Sequence, residues 1–224
     1  MKQTKIEWCD YTCNPVIGCK HNCPYCYARE INKRFGFVKD FNCPQFFPER
    51  LKQFETKKPK SIFVDSMSDI AFWQSEWISE VINAININPH HNYIFLTKRF
   101  TTTIGHWLPY VFNGATTTTQ KAADLAALNT EFRFWSVEPI LEPIKITKLK
   151  GNKLDLVIIG AETGKREGKV IPQKEWITSI VNECDRAGVK VFMKNSLKNI
   201  MGADFRQDAL PWILNKNKNI PPIT

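Results

Sequence analysis

Three cysteines, Cys19, Cys23 and Cys26, stand four and then three positions apart in the stretch GCKHNCPYCYA (18–28). A loop that gathers them offers three thiolates, a donor set for zinc or for an iron-sulfur cluster. Structural zinc takes four ligands. A fourth would have to come from His21, Cys13 or Cys9, because no second CxxC pair follows downstream. Three ligands on a four-iron cluster would instead leave one iron open to chelate a small molecule. The remaining cysteines lack this rhythm: Cys184 shares a helical face with Trp176 and Ile180 and reads as core, Cys9 and Cys13 read as packing residues, and Cys43 has no assigned role.

Such a loop needs a scaffold, and the rest of the chain alternates apolar runs with amphipathic segments. Strands are expected around Val16–Ile17 and over 61–64, 93–96, 111–118, 132–137, 154–159 and 189–193. Helices are expected over 27–35, ending at Gly36 with Ala28, Ile31 and Phe35 on its apolar face, and over 75–87, 120–128 and 174–187. Strands alternating with helices imply parallel β/α units, and about seven strands imply a partial (β/α) TIM-like barrel, class α/β. Polar or charged groups directly follow five of the strands: Asp65, Ser66 and Asp69; Thr97, Lys98 and Arg99; Glu138; Glu162 and Thr163; Lys194, Asn195 and Ser196. Carboxyl ends of barrel strands form the mouth where chemistry occurs, so these groups and the cysteine loop are expected to share one pocket. The barrel is expected over 1–195. The tail 196–224, with Pro211, Pro221 and Pro222, is a candidate lid over the opening.

The chain has 224 residues, seven cysteines and a formal net charge of +9. That length supports one sizeable core without disulfide staples. Its polar start, MKQTKIEWCDY, has no signal-peptide core, and no run reaches the roughly 18 apolar residues of a membrane span. Cytoplasmic placement with reduced thiols is therefore expected, with no membrane contact. The basic excess, including Lys57, Lys58, Lys60, Lys145, Lys148, Lys150 and Lys153, favours polyanionic partners or simply a solvated surface. His90, His91 and His106 read as ordinary histidines, and Trp73, Trp77 and Trp135 as core.

The motif CxxxCxxC with Tyr25 before its third cysteine resembles the cluster motif of the radical S-adenosylmethionine (SAM) superfamily. The wider match is to a phage-associated branch related in flavour to spore photoproduct lyase. It is carried by IEWCDYTCNPVIGC, NCPYCYA, SIFVDSMSD, IFLTKR, WSVEPILEPI and LDLVIIGAETG, in order along most of the chain. The spacing is the compact one of the superfamily at large, where the branch commonly has a longer insertion. The resemblance implies a barrel of radical SAM type and a 4Fe-4S cluster held by Cys19, Cys23 and Cys26. It also implies reductive cleavage of SAM to a 5'-deoxyadenosyl radical that abstracts hydrogen from a substrate. Tyr25 would lie beside the adenine, Ser66 and Ser68 would receive the amino group, Lys98 or Arg99 would pair with the carboxylate, and Thr97 and Glu138 would hold the ribose. An electron donor such as flavodoxin or ferredoxin is implied, and nucleic acid or a nucleotide-derived group is the expected substrate, with a protein partner as a further expectation. Two other readings stay open: a zinc-stabilised nucleic-acid-binding module, and a cluster-bearing scaffold subunit without turnover.

Overall fold

A computed structural model describes residues 2–146 and 154–213. In chain order the strands are β1 (Lys2–Gln3), β2 (Tyr11–Thr12), β3 (Val16–Ile17), β4 (Gln45–Phe46), β5 (Ser61–Phe63), β6 (Asn92–Thr97), β7 (Val111–Thr116), β8 (Phe134–Val137), β9 (Leu156–Ile159) and β10 (Lys190–Met193). The helices are α1 (Tyr27–Phe35), α2 (Ser75–Ile87), α3 (Gln120–Ala126), α4 (Lys174–Ala187) and α5 (Lys198–Met201).

The main sheet runs β1-β2-β5-β6-β7-β8-β9-β10, with the β1–β2 pair antiparallel and every later pair parallel. Seven parallel strands curl into a half-barrel, so the fold is α/β and of partial-barrel form. Runs such as FWSV and LVII are buried on both faces, the pattern of a parallel sheet covered by crossover helices. Outside the barrel, α2 packs Val81 and Ile85 against Ile62, Val64, Tyr93 and Phe95, while α4 packs Ile177, Ile180 and Cys184 against Val157, Ile159 and Val191. Inside lie Trp8, Phe63, Ile94, Phe112, Phe134, Leu156, Ile158, Phe192 and Trp212.

One strand expectation shifts. Val16–Ile17 is a strand, but it pairs antiparallel with Gln45–Phe46, and Tyr11–Thr12 holds the place beside β5. A two-residue strand is below what hydrophobic periodicity can register. The described part of the tail also goes elsewhere. Residues 206–208 pair along β10, and the Trp212 indole donates to the Trp8 carbonyl at 2.6 Å while its own carbonyl accepts from the Asn92 amide at 2.7 Å. Asn92 begins its strand, so the described part of the tail seals the amino end of the barrel, opposite the mouth. Residues 214–224, the remainder of the candidate lid, and Lys148, Lys150 and Lys153 lie outside the described residues. No described helix is long and apolar enough to cross a membrane.

Candidate functional site

A cavity of about 920 Å³ opens at the carboxyl ends of the strands. Ligand cavities span roughly 300–1,000 Å³, so this one has room for a cofactor and a second molecule. Its floor includes Leu96, Thr116 and Ser136 from the inner face of the barrel, above the Phe134 layer. Cys19, Cys23 and Cys26 all line it, as do Tyr25, Ser66, Ser68, Lys98 and Glu138. Thr97 and Arg99 do not: Thr97 is buried behind the wall with its hydroxyl donating to Asp69 at 2.7 Å, and Arg99 is exposed.

The cysteine loop is held from several sides. Gly18 has φ +119°, a conformation that favours glycine, and a Cβ there would stand 2.8 Å from the Pro44 Cα. Next to it the Cys19 amide donates to the Phe41 carbonyl at 2.7 Å. Cys26 is the N-cap of α1, its sulfur accepting from the Arg29 amide at 3.4 Å. His21 reaches Asp69 at 2.9 Å, which pins the loop to the segment after β5.

Asp69 is the hub of the mouth. It accepts hydrogen bonds from the amides of Lys98 (2.9 Å) and Ala71 (3.0 Å) as well as from Thr97 and His21. Burial opposes its ionisation, but these donors outweigh burial and hold its carboxyl below the usual carboxylate range. Asp65 has the opposite fate: burial, then the charge of Asp69, raises it well above that range. Glu138 pairs with Lys194 across the mouth. Asn14 takes the Ser66 hydroxyl at 3.0 Å and the Met67 amide at 2.9 Å, and the Trp73 indole donates to the Ser68 hydroxyl at 3.1 Å. Glu162 lines the cavity and forms an ion pair with Arg166 that holds it below the usual carboxylate range.

The three thiols are free, half-buried and line the same cavity. A tetrahedral zinc with Zn–S near 2.3 Å draws its sulfurs to within about 3.8 Å of one another. Among the described residues no group of three His, Cys, Asp or Glu is arranged to hold a metal ion. A four-iron cluster would take each thiolate at a different iron and so needs a wider triangle of sulfurs than zinc does. Burial pushes the Cys19 thiol up to about 12, an effect that Asp69, Cys23 and Cys26 reinforce, so loading must displace its proton. Lys98 lies near the thiols, its ammonium 5.6 Å from the centroid of the Tyr25 ring. Burial lowers its pKa, and the surrounding thiols and Asp69 oppose that drop.

A family profile matches residues 3–203, nearly the whole described chain. The chain belongs to that family, described as Protein of unknown function (DUF5131). No curated protein and no solved structure matches it. In this DUF5131 protein, Asn14, Tyr27, Phe35 and Phe37 are cavity residues that sequence reading did not single out for the site. Asn14 and Tyr27 act through contacts 52 and 39 positions away, to Ser66 in both cases, and no local pattern carries that signal. Phe35 matched a helical core stripe, yet it is 59 % exposed, and Asn32 fills the buried face by bonding both backbone groups of Val38. Of the other cysteines, Cys13 and Cys184 are buried as packing residues, and Cys9 packs against the inner core. Cys43 is exposed beside Asp40.

Proposed function

We propose that this protein is a radical SAM enzyme in which Cys19, Cys23 and Cys26 hold a 4Fe-4S cluster at the mouth of the half-barrel. One observation carries the reading: the three cysteines of the CxxxCxxC motif line a single large cavity at the carboxyl ends of seven parallel strands. When bound, such a cluster with one open iron passes an electron to SAM, cleaving it to methionine and a 5'-deoxyadenosyl radical that takes hydrogen from the substrate. The chain's own residues bind and orient. Ser66 and Ser68 offer hydroxyls beside the loop, fixed in direction by Asn14 and Trp73. Lys98 is the cation of the mouth for a ligand carboxylate, its backbone fixed by Asp69. Tyr25 offers a ring face, and Glu138 an acceptor for hydroxyls, with Lys194 steadying its charge. The Phe63 and Phe134 layer beneath keeps water from the cavity floor.

The test is anaerobic reconstitution with iron and sulfide, followed by incubation with SAM and a low-potential reductant such as reduced flavodoxin or ferredoxin. About four irons with matching sulfide per chain are expected, together with 5'-deoxyadenosine, and Cys23→Ala loses both. One zinc with no iron would overturn the reading in favour of a zinc-stabilised module. A loaded cluster that never cleaves SAM would leave a scaffold subunit, and cleavage that survives Cys23→Ala would remove that residue from its role.

A further inference from the structure

The rim of the cavity carries an aromatic pair that core packing does not explain. Phe35 ends α1 and Phe37 follows Gly36, whose left-handed backbone (φ 64°) turns the chain so that both rings face the same side. The rings are stacked, centroids 5.8 Å apart and planes 29° off parallel. They are 59 % and 44 % exposed, and both line the cavity. The guanidinium of the exposed Arg34 sits 5.2 Å from the Phe35 centroid. Residues 18–42 hold five basic side chains (Lys20, Arg29, Lys33, Arg34 and Lys39) against two acidic ones. Of those acids, Glu30 is taken by Lys33, and Asp40 by the backbone and side chain of Asn42. Lys20, Arg34 and Lys39 have no carboxylate partner among the described residues.

We infer that Phe35 and Phe37 form a stacking platform on which a base of a single-stranded nucleic acid rests, with Arg34, Lys39 and Lys20 taking the adjoining phosphates. This rests on the proposed function, whose substrate class it names. A planar base extends the existing two-ring stack, and every base has a π-face, so the platform accepts a strand with little regard to sequence. A duplex keeps its bases stacked on one another and offers no free face. The surplus of cations is the complement of a phosphate backbone and argues for a nucleic acid over an apolar peptide segment.

The test uses the full chain without iron or SAM, fluorescein-labelled 12-nucleotide dT and rU strands and a 12-base-pair duplex, and fluorescence anisotropy at two salt concentrations. The wild type is expected to bind the single strands more tightly than the duplex. Phe35→Ala/Phe37→Ala weakens single-strand binding about 5- to 150-fold, the effect of losing one stacked base. Phe35→Trp restores it in the Phe37 background, and Arg34→Ala lowers the salt dependence. Circular dichroism confirms that the exposed-site variants fold. Equal affinity for duplex and single strand, no binding, or an unchanged double-alanine variant overturns the inference. Binding is read without cluster or SAM. A wild type that binds strands but never cleaves SAM would sink the enzymatic reading alone, and one that cleaves SAM without binding strands would sink the platform alone.

Discussion

Gly114→Ala is the sharpest test of the barrel interior that supports the cavity. Gly114 lies in β7 facing Phe134, and a Cβ built there falls 2.3 Å from the ring's Cζ and 2.5 Å from Cε1. Carbon atoms in ordinary contact keep about 3.5–4.0 Å, so the ring would have to retreat by more than about 1 Å. It has nowhere to go, because Trp212 stands 4.8 Å and Trp8 6.3 Å from its centroid. Overpacking of this kind costs about 1–3 kcal/mol. The lost backbone freedom of the unfolded chain returns about 0.4–1 kcal/mol, which leaves a net loss of about 1–2 kcal/mol. In urea, where m lies near the upper end of about 1–3 kcal/mol per molar, the midpoint should fall by about 0.5 M. Phe134→Leu placed in the Gly114→Ala chain should cost less than it does alone, a coupling of about 1 kcal/mol or more. If Gly114→Ala were as stable as the wild type, or the two substitutions additive, the ring would not occupy the space that glycine leaves.

Two further outcomes follow. Gly18→Ala places a side chain at φ +119° and 2.8 Å from the Pro44 Cα, a strain of about 1–3 kcal/mol beside Cys19. Iron bound per chain after reconstitution should drop while the far-ultraviolet circular dichroism is unchanged; wild-type iron content would refute the positioning. His91 is buried and held neutral, desolvation pulling its pKa from 6.5 down to about 4, with Nε2 on the Phe54 carbonyl at 2.9 Å. Between those values the unfolded chain binds a proton that the folded chain does not, so this contribution is whole above 6.5 and gone below about 4. His91→Gln should therefore show a shallower loss of stability than the wild type as acid is added from about pH 7.5 to about 4.5. Parallel curves for the two proteins would contradict it.

Much of this arrangement is legible in the chain because parallel strands are buried on both faces and declare themselves as apolar runs. Segments 61–64, 93–96 and 154–159 overlie β5, β6 and β9 within two residues at either end, and 27–35 and 174–187 coincide with α1 and α4. Asp65, Lys98, Glu138, Glu162 and Lys194, which follow those runs, reach one cavity because strand ends in a parallel sheet share a side. What periodicity does not carry is which apolar position faces solvent. Phe35 obeys the helical stripe and still points out, since Asn32 satisfies the buried turn through Val38. Nor does it carry side-chain commitments made across the fold, such as Thr97 to Asp69 or Asn14 to Ser66, which divert polar groups that read locally as ligands.

The indole of Trp212, hydrogen-bonded to the backbone of Trp8 from 204 positions away, bears on how the molecule is made. A growing polypeptide can lay down all seven parallel strands and still lack the cork for its own base, because that piece leaves the ribosome after β10 has already emerged. Until then the aromatic interior stays wet from below, and the cysteine loop hangs on a vessel open at both ends. If the three cysteines hold the proposed cluster, its loading would on this geometry belong to the period after synthesis, and a chain cut just ahead of Trp212 should be a poor receiver of iron however intact its cysteines.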